Sequence, residues 1–162
     1  VRDVVHVWEV GHLASSLISA AMTGASLTHS PHHITLMIVL DLNQPEVLWS
    51  SLEESLAAAR SAMKMSFTND IIEVMKKQRI NYFRKSTEQQ IDPFPMKLCI
   101  IGGKYDEFKD YDLGKRQIIG KTLRAVCCYL GADLQYYSVK DALLVRRIKD
   151  LLSFHGFNNH PV

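Results

Sequence analysis

Lys104 and Asp106 stand one residue apart directly after the apolar run LCIIGG, a spacing that suits recognition of a nucleotide base. An ionised carboxylate just past a strand end can accept two N–H bonds from a guanine edge, the role Asp106 would take. Lys104 can lay its methylene stem along the base. Ser138 and Lys140, in the stretch YYSVKDA, follow the next apolar segment and would close the other side of the same pocket. A lone KxD tripeptide is a weak signal, because its ordinary counterpart is a glycine turn followed by surface charges. Its weight comes from several such stretches falling at the ends of apolar segments.

Nucleotide hydrolysis also requires a glycine-rich loop ending in Lys and Ser or Thr, whose backbone donors and ammonium offset phosphate charge. The chain has no such loop: Gly103-Lys104 is followed by Tyr105, and Gly114-Lys115 by Arg116. Gly120-Lys121-Thr122 falls inside a helical pattern, where the amides are already committed. Hydrolysis by this chain alone is therefore not expected. No convergent acid and base suggests another small-molecule enzyme.

The histidines of HSPHH (His29, His32 and His33) invite a metal reading, but they share a proline-containing loop with no nearby cysteine and no carboxylate before Asp41. A solvated connection is expected there, and no metal site. Cys127 and Cys128 lie on or beside an apolar helix face and read as small hydrophobes. Trp8 and Trp49 read as packing residues.

These candidates need elements to position them. VVHVWEV near the start is strand-like. ITLMIVLD (Ile34 to Asp41) is an uninterrupted apolar run, as expected of a central strand covered on both faces of a parallel sheet. In the following segment, Asn43 can cap a helix, Pro45 fits its first turn, and Leu48, Leu52, Leu56, Ala59 and Met63 recur at helical spacing.

Residues 66–90 loosen into a helical or loop excursion from the core. KLCIIGG is the next buried strand. Asp112 can cap a helix with Ile119, Leu123, Val126, Cys127 and Leu130 on one face, and Gly131 suits its left-handed terminus. DLQYYS reads as a strand and DALLVRRIKDLLSF as an amphipathic helix. The alternation predicts an α/β fold, a mostly parallel sheet with helices on both faces. Ligands in such sheets sit at the carboxyl ends of the strands. The tips after Val10, Leu40, Ile101 and Tyr137 should then share one rim.

Length and composition bound the rest. At 162 residues and 47% hydrophobic, the chain suits a single domain over residues 1–157 with a short tail at 158–162. A formal net charge of +2 is too small for the broad positive surface of a nucleic-acid-binding protein. Three cysteines without metal or redox spacing fit a reducing, intracellular compartment. No apolar stretch approaches the roughly 20 residues that span a bilayer, so membrane insertion is not expected.

The stretches HVWEVG, MIVLDLNQPEVLW, IDPFPMKLCIIGGKYDEFKDYD and KRQIIGKTLRAVCCYLGADLQYYSVKDALL together resemble the dynein light intermediate chain family, in its cytoplasmic dynein 2 branch. The likeness runs through nearly the whole chain and is densest from Ile91 to Leu144. It implies a Ras-like GTPase fold used as a non-catalytic scaffold.

The family's phosphate loop, on a first strand and helix, would lie before Val1, so the chain is expected to be incomplete or truncated. No cofactor is expected in this chain, and GTP or GDP only in the complete protein. By the resemblance, Lys104 and Asp106 match the guanine-specificity position, with Gly103 where Asn is usual. Ser138, Val139 and Lys140 resemble the second base-binding loop. Glu9 and Gly11 occupy the place of the phosphate-side Asp-x-x-Gly, with His12 where a water-orienting residue often stands. Glutamate in place of aspartate reaches further towards a magnesium ion, so none is expected.

The implied partners are the dynein 2 heavy-chain tail, the other dynein 2 subunits and intraflagellar-transport trains. The implied setting is the cytoplasm, the cytoskeleton, and the axoneme and basal body of the cilium. Trp49, Ile80, Tyr82 and Phe83 are candidate interface residues. The alternative implied function is a nucleotide-dependent switch whose phosphate loop lies outside this sequence.

Overall fold

The computed structural model describes residues 4–24, 31–84 and 90–157. Along the chain run α1 (Ser15–Gly24), a 3-10 turn (Pro31–His33), β1 (Thr35–Asp41), α2 (Leu48–Ser66) and α3 (Asn69–Arg84). Then come β2 (Lys97–Gly103), the short α4 (Tyr105–Phe108), α5 (Leu113–Leu130), β3 (Asp133–Tyr136) and α6 (Ala142–Phe157). The three strands form one parallel sheet in the order β1-β2-β3.

Register explains how the faces are filled. Ile38 lies opposite Ile100 and Leu40 opposite Gly102, and Leu134 and Tyr136 continue the same face on β3. That face packs against α2 through Leu48, Leu52, Leu56, Ala59 and Met63, all buried as their spacing predicts. Helix α5 closes the same side with Ile119, Leu123, Cys127 and Leu130. The opposite face carries Thr35 and Cys99, which meet His155 of α6. Helices therefore cover both faces of a parallel sheet, and the α/β architecture stands.

Two strand expectations are corrected. The VVHVWEV segment forms no strand: Val4 to Val10 have no regular structure, and Val7 and Trp8 are exposed. Alternation alone makes no strand; a neighbour must complete its backbone hydrogen bonds, and none of the described strands lies beside this segment. Nor is ITLMIVLD central. Among the described residues β1 pairs only with β2, and Val39 remains 69% exposed. The central strand is β2, bonded on both sides and buried from Leu98 to Gly103.

Helix ends follow sequence chemistry unevenly. The Asp112 side chain accepts from the Lys115 amide, and Gly131 ends α5 at φ 61°, as their residue types require. Asn43, by contrast, caps nothing: α2 starts only at Leu48, Pro45 sits in the turn before it, and the Asn43 side chain accepts from Tyr111 Oη at 2.8 Å. The excursion is also closer to the core than its composition suggests. Its first part forms α3, which buries Met75, while Arg79 donates to the Gly131 carbonyl at 2.9 Å. Residues 85–89 of that excursion, like the 158–162 tail, lie outside the described residues.

Candidate functional site

The carboxyl ends of the three strands are laced into one rim. Leu42 N donates to Gly103 O at 3.2 Å, Tyr137 N to Gly102 O at 2.8 Å, and Tyr105 N to Tyr137 O at 3.0 Å. Gly102 is required here by space: a Cβ on it would fall 2.8 Å from Leu42 Cδ1 and 3.1 Å from Tyr136 Cδ1. Lys104 follows with φ 56°, a left-handed conformation uncommon outside glycine, which turns the chain from β2 straight into α4.

Lys104, Asp106, Ser138 and Lys140 all stand on this rim. Ser138 Oγ donates to Asp106 Oδ1 at 2.8 Å, and Lys140 Nζ pairs with Oδ2 at 2.7 Å. The Lys140 amide donates back to Ser138 Oγ at 3.2 Å. Ser138 is only 2% exposed, so its hydroxyl is committed to this network. The Lys140 hydrogen bond first, then that of Ser138, hold the Asp106 carboxyl below its ordinary value. The same bond to Asp106 raises Lys140.

Lys104 turns the other way, pairing with Asp41 Oδ2 at 2.6 Å, while Asp41 Oδ1 accepts from the Asn43 amide at 2.9 Å. Partial burial works to raise Asp41. The Lys104 hydrogen bond, the Asn43 amide and the Lys104 charge outweigh it, and the carboxyl is held below its usual range. The Lys104–Asp41 pair thus ties the β2 loop to the β1 loop, beside a Gly103 that has no side chain to do so. Asp41 is a rim residue that sequence reading passed over. Its position as the last residue of an apolar strand was the available signal.

Chemically, the arrangement is a closed polar cluster. Both Asp106 oxygens are engaged by protein donors, and a base edge would have to displace Lys140 or share with it. The hollow lined by Tyr105, Asp106, Lys109, Ser138 and Lys140 measures about 210 Å³, below the roughly 300–1,000 Å³ usual for small-molecule sites.

The phosphate-side candidates are placed differently. Glu9, Gly11 and His12 are exposed in the irregular segment before α1, and a Cβ on Gly11 would meet nothing within 4 Å. Among the described contacts, none joins Glu9 or His12 to the Lys104–Asp106 cluster; the His12 carbonyl accepts only from Ala14 N, at 2.8 Å. His32 and His33 are exposed in the 3-10 turn, and His29 lies outside the described residues. Cys127 is buried and Cys128 exposed. Of the interface candidates, Tyr82 is 68% exposed, while Trp49, Ile80 and Phe83 are half-buried. No described helix is long and apolar enough to cross a membrane.

No protein-family model matches the chain. It is 39% identical over 155 residues to cytoplasmic dynein 2 light intermediate chain 1 of Homo sapiens, a match covering 90% of this chain and 43% of that protein. The Bos taurus protein of the same name is 37% identical over 169 residues, covering 97% and 47%. The Danio rerio protein is 28% identical over 164 residues, covering 96% and 45%. The chain therefore spans less than half the length of these relatives. Its structure is similar to the crystal structure of the conserved domain of a dynein light intermediate chain, with a TM-score of 0.67 and 17% identity over 94% of this chain and 59% of that one.

Proposed function

This chain is a homologue of the cytoplasmic dynein 2 light intermediate chains along nearly all of its own length, and from that premise we propose that its protein is a non-catalytic subunit of the dynein 2 motor. It binds and stabilises the heavy-chain tail, and with the other subunits it couples the motor to intraflagellar-transport trains. Its setting is then the cytoplasm, the cytoskeleton and the cilium, including axoneme and basal body. The observation that carries this reading is the collinear similarity, at 37–39% identity, to relatives of that name. The self-satisfied rim supports the non-catalytic part, since Asp106 is engaged from both sides by Ser138 and Lys140. Exposed apolar residues of α3, Val74 and Tyr82 among them, are candidates for the heavy-chain contact. A permanent interface of this kind would bury about 2,000 Å² or more.

The test is co-precipitation of the full-length protein with a heavy-chain tail fragment, with GTP, with GDP and without nucleotide. Equal recovery in all three conditions is expected. Absence of association sinks the subunit reading, and recovery only with GTP replaces it with a nucleotide-dependent switch. That second reading draws on the grouping of Lys104, Asp106, Ser138 and Lys140 at the strand ends, where such sheets bind ligands. It requires the complete protein to take up GTP or GDP, measurable with a fluorescent guanine nucleotide.

A further inference from the structure

At the opposite end of the sheet from the rim, Cys99, Asp133 and His155 converge from three elements: β2, the first residue of β3, and the last turn of α6. His155 Nε2 lies 3.0 Å from Cys99 Sγ and 2.9 Å from Asp133 Oδ2, and Sγ and Oδ2 are 3.9 Å apart. Cys99 is fully buried and the His155 side chain is 7% exposed, whereas Asp133 is about half exposed. Among the described residues, this is the one group of three potential ligand atoms lying within 4.8 Å of one another.

The geometry excludes a nucleophilic triad. In a triad the nucleophile and the orienting carboxylate take opposite ring nitrogens of the histidine. Here both approach Nε2, and Nδ1 faces Thr35 Oγ1 at 3.5 Å. Burial first, then the Asp133 charge, also push the Cys99 thiol up to about 12, so the free side chain is a poor nucleophile. Hydrogen bonding accounts for the Asp133 contacts, since His155 Nε2 and the Cys99 thiol can each donate to Oδ2, but it then leaves the 3.0 Å approach of Nε2 to Sγ without a proton of its own.

We propose that Cys99 Sγ, Asp133 Oδ2 and His155 Nε2 form a binding site for a zinc-class divalent cation, which fastens the end of α6 to β2 and β3. One ion on the Nε2 lone pair uses all three groups at once. Metal–ligand lengths of about 2.0–2.3 Å in a tetrahedron place ligand atoms about 3.3–3.6 Å apart. The His155 contacts of 2.9 and 3.0 Å are shorter and the Sγ–Oδ2 separation of 3.9 Å longer, so binding requires shifts of about half an ångström, which the half-exposed Asp133 and the last turn of α6 can supply. Mixed sulfur, nitrogen and oxygen donors suit Zn²⁺ and Co²⁺, while an all-oxygen set would suit magnesium or calcium. Asp133, about half exposed, would admit the ion from solvent, and water would supply the fourth ligand. Thr35 beside Nδ1 supplies the outer contact that fixes a ligating imidazole. Arg79, whose charge reaches both Asp133 and Cys99, is held aside by the Gly131 carbonyl and lies over the Phe83 ring, 4.8 Å from its centroid.

The test uses the intact protein, stripped with chelator and titrated with Co²⁺ as a spectroscopic probe, with Zn²⁺ as competitor. One equivalent should bind, with a thiolate-to-cobalt charge-transfer band that Zn²⁺ abolishes. Cys99→Ser should lose the band. Because Cys99 is buried and that variant risks misfolding, Asp133→Asn is the companion, expected to fold normally by circular dichroism and to bind at least about tenfold more weakly. Absence of the band in the intact protein, or a band of unchanged affinity in both variants, overturns the proposal. Neither outcome bears on heavy-chain association.

Discussion

The rim at residues 102–106 and 136–140 and the irregular segment at residues 4–14 hold the two halves of one candidate motif, yet they differ in every physical respect. The rim is pinned by backbone bonds between strand ends, a buried Ser138 and two ion pairs. The segment 4–14 lies outside the sheet, with Val4, Val7 and Trp8 in solvent. Residues of suitable type become a site only where hydrogen-bonded neighbours fix their backbone; elsewhere the same types remain a pattern.

The comparison breaks most readily at glycine. In the 162-residue chain, Gly102→Val should lower stability by about 3 kcal/mol, since its side chain would collide with Leu42 and Tyr136. Gly11→Ala, with open space around it, should stay within about 0.5 kcal/mol of wild type. Urea unfolding measures both, and similar losses would show that the segment is packed after all.

Ser138→Ala comes next. It removes a buried donor to Asp106 and the acceptor of the Lys140 amide, at a cost of about 1–2 kcal/mol. Exposed Val7→Ser should have no measurable effect in the same assay. Hydrogen exchange sharpens the contrast without mutation: amides of Ile100 to Gly102 should be protected close to the global limit, and those of Val4 to Val10 hardly at all.

Within the rim, the smallest effects belong to the ion pairs. Because Asp106 is held below its ordinary 3.8, its contribution is fully present above that pH and is lost as pH falls through the lowered value. Stability curves of wild type and Asp106→Asn should therefore converge on acidification below about pH 3.8. A gap that persists there would mean that Asp106 acts through packing. Lys104→Ala should lower stability only slightly, and the difference should vanish in high salt, as it does for an exposed pair.

Much of the fold was legible because local chemistry and burial agree. The apolar period of α2, the Asp112 cap and the terminal Gly131 each rest on interactions within one or two helical turns. Where sequence and structure part, the deciding partner is distant. VVHVWEV has strand chemistry without a neighbouring strand, Asn43 is drawn to Tyr111, and the loosely patterned 69–84 region docks through Met75 and Arg79. Cys99, Asp133 and His155 carry no common spacing, so nothing in their order announced that they meet.

The sequence by itself determined the helical faces, the buried run of β2, the Lys104–Asp106 spacing and the light-intermediate-chain likeness, because each is written in neighbouring residues. Only the tertiary structure decided which strand is central, that Asp41 and Lys140 occupy the two charges of the KxD motif, and that a cysteine, an aspartate and a histidine share one point in space. Those outcomes depend on strand order and register, which are set by the burial of whole faces against one another.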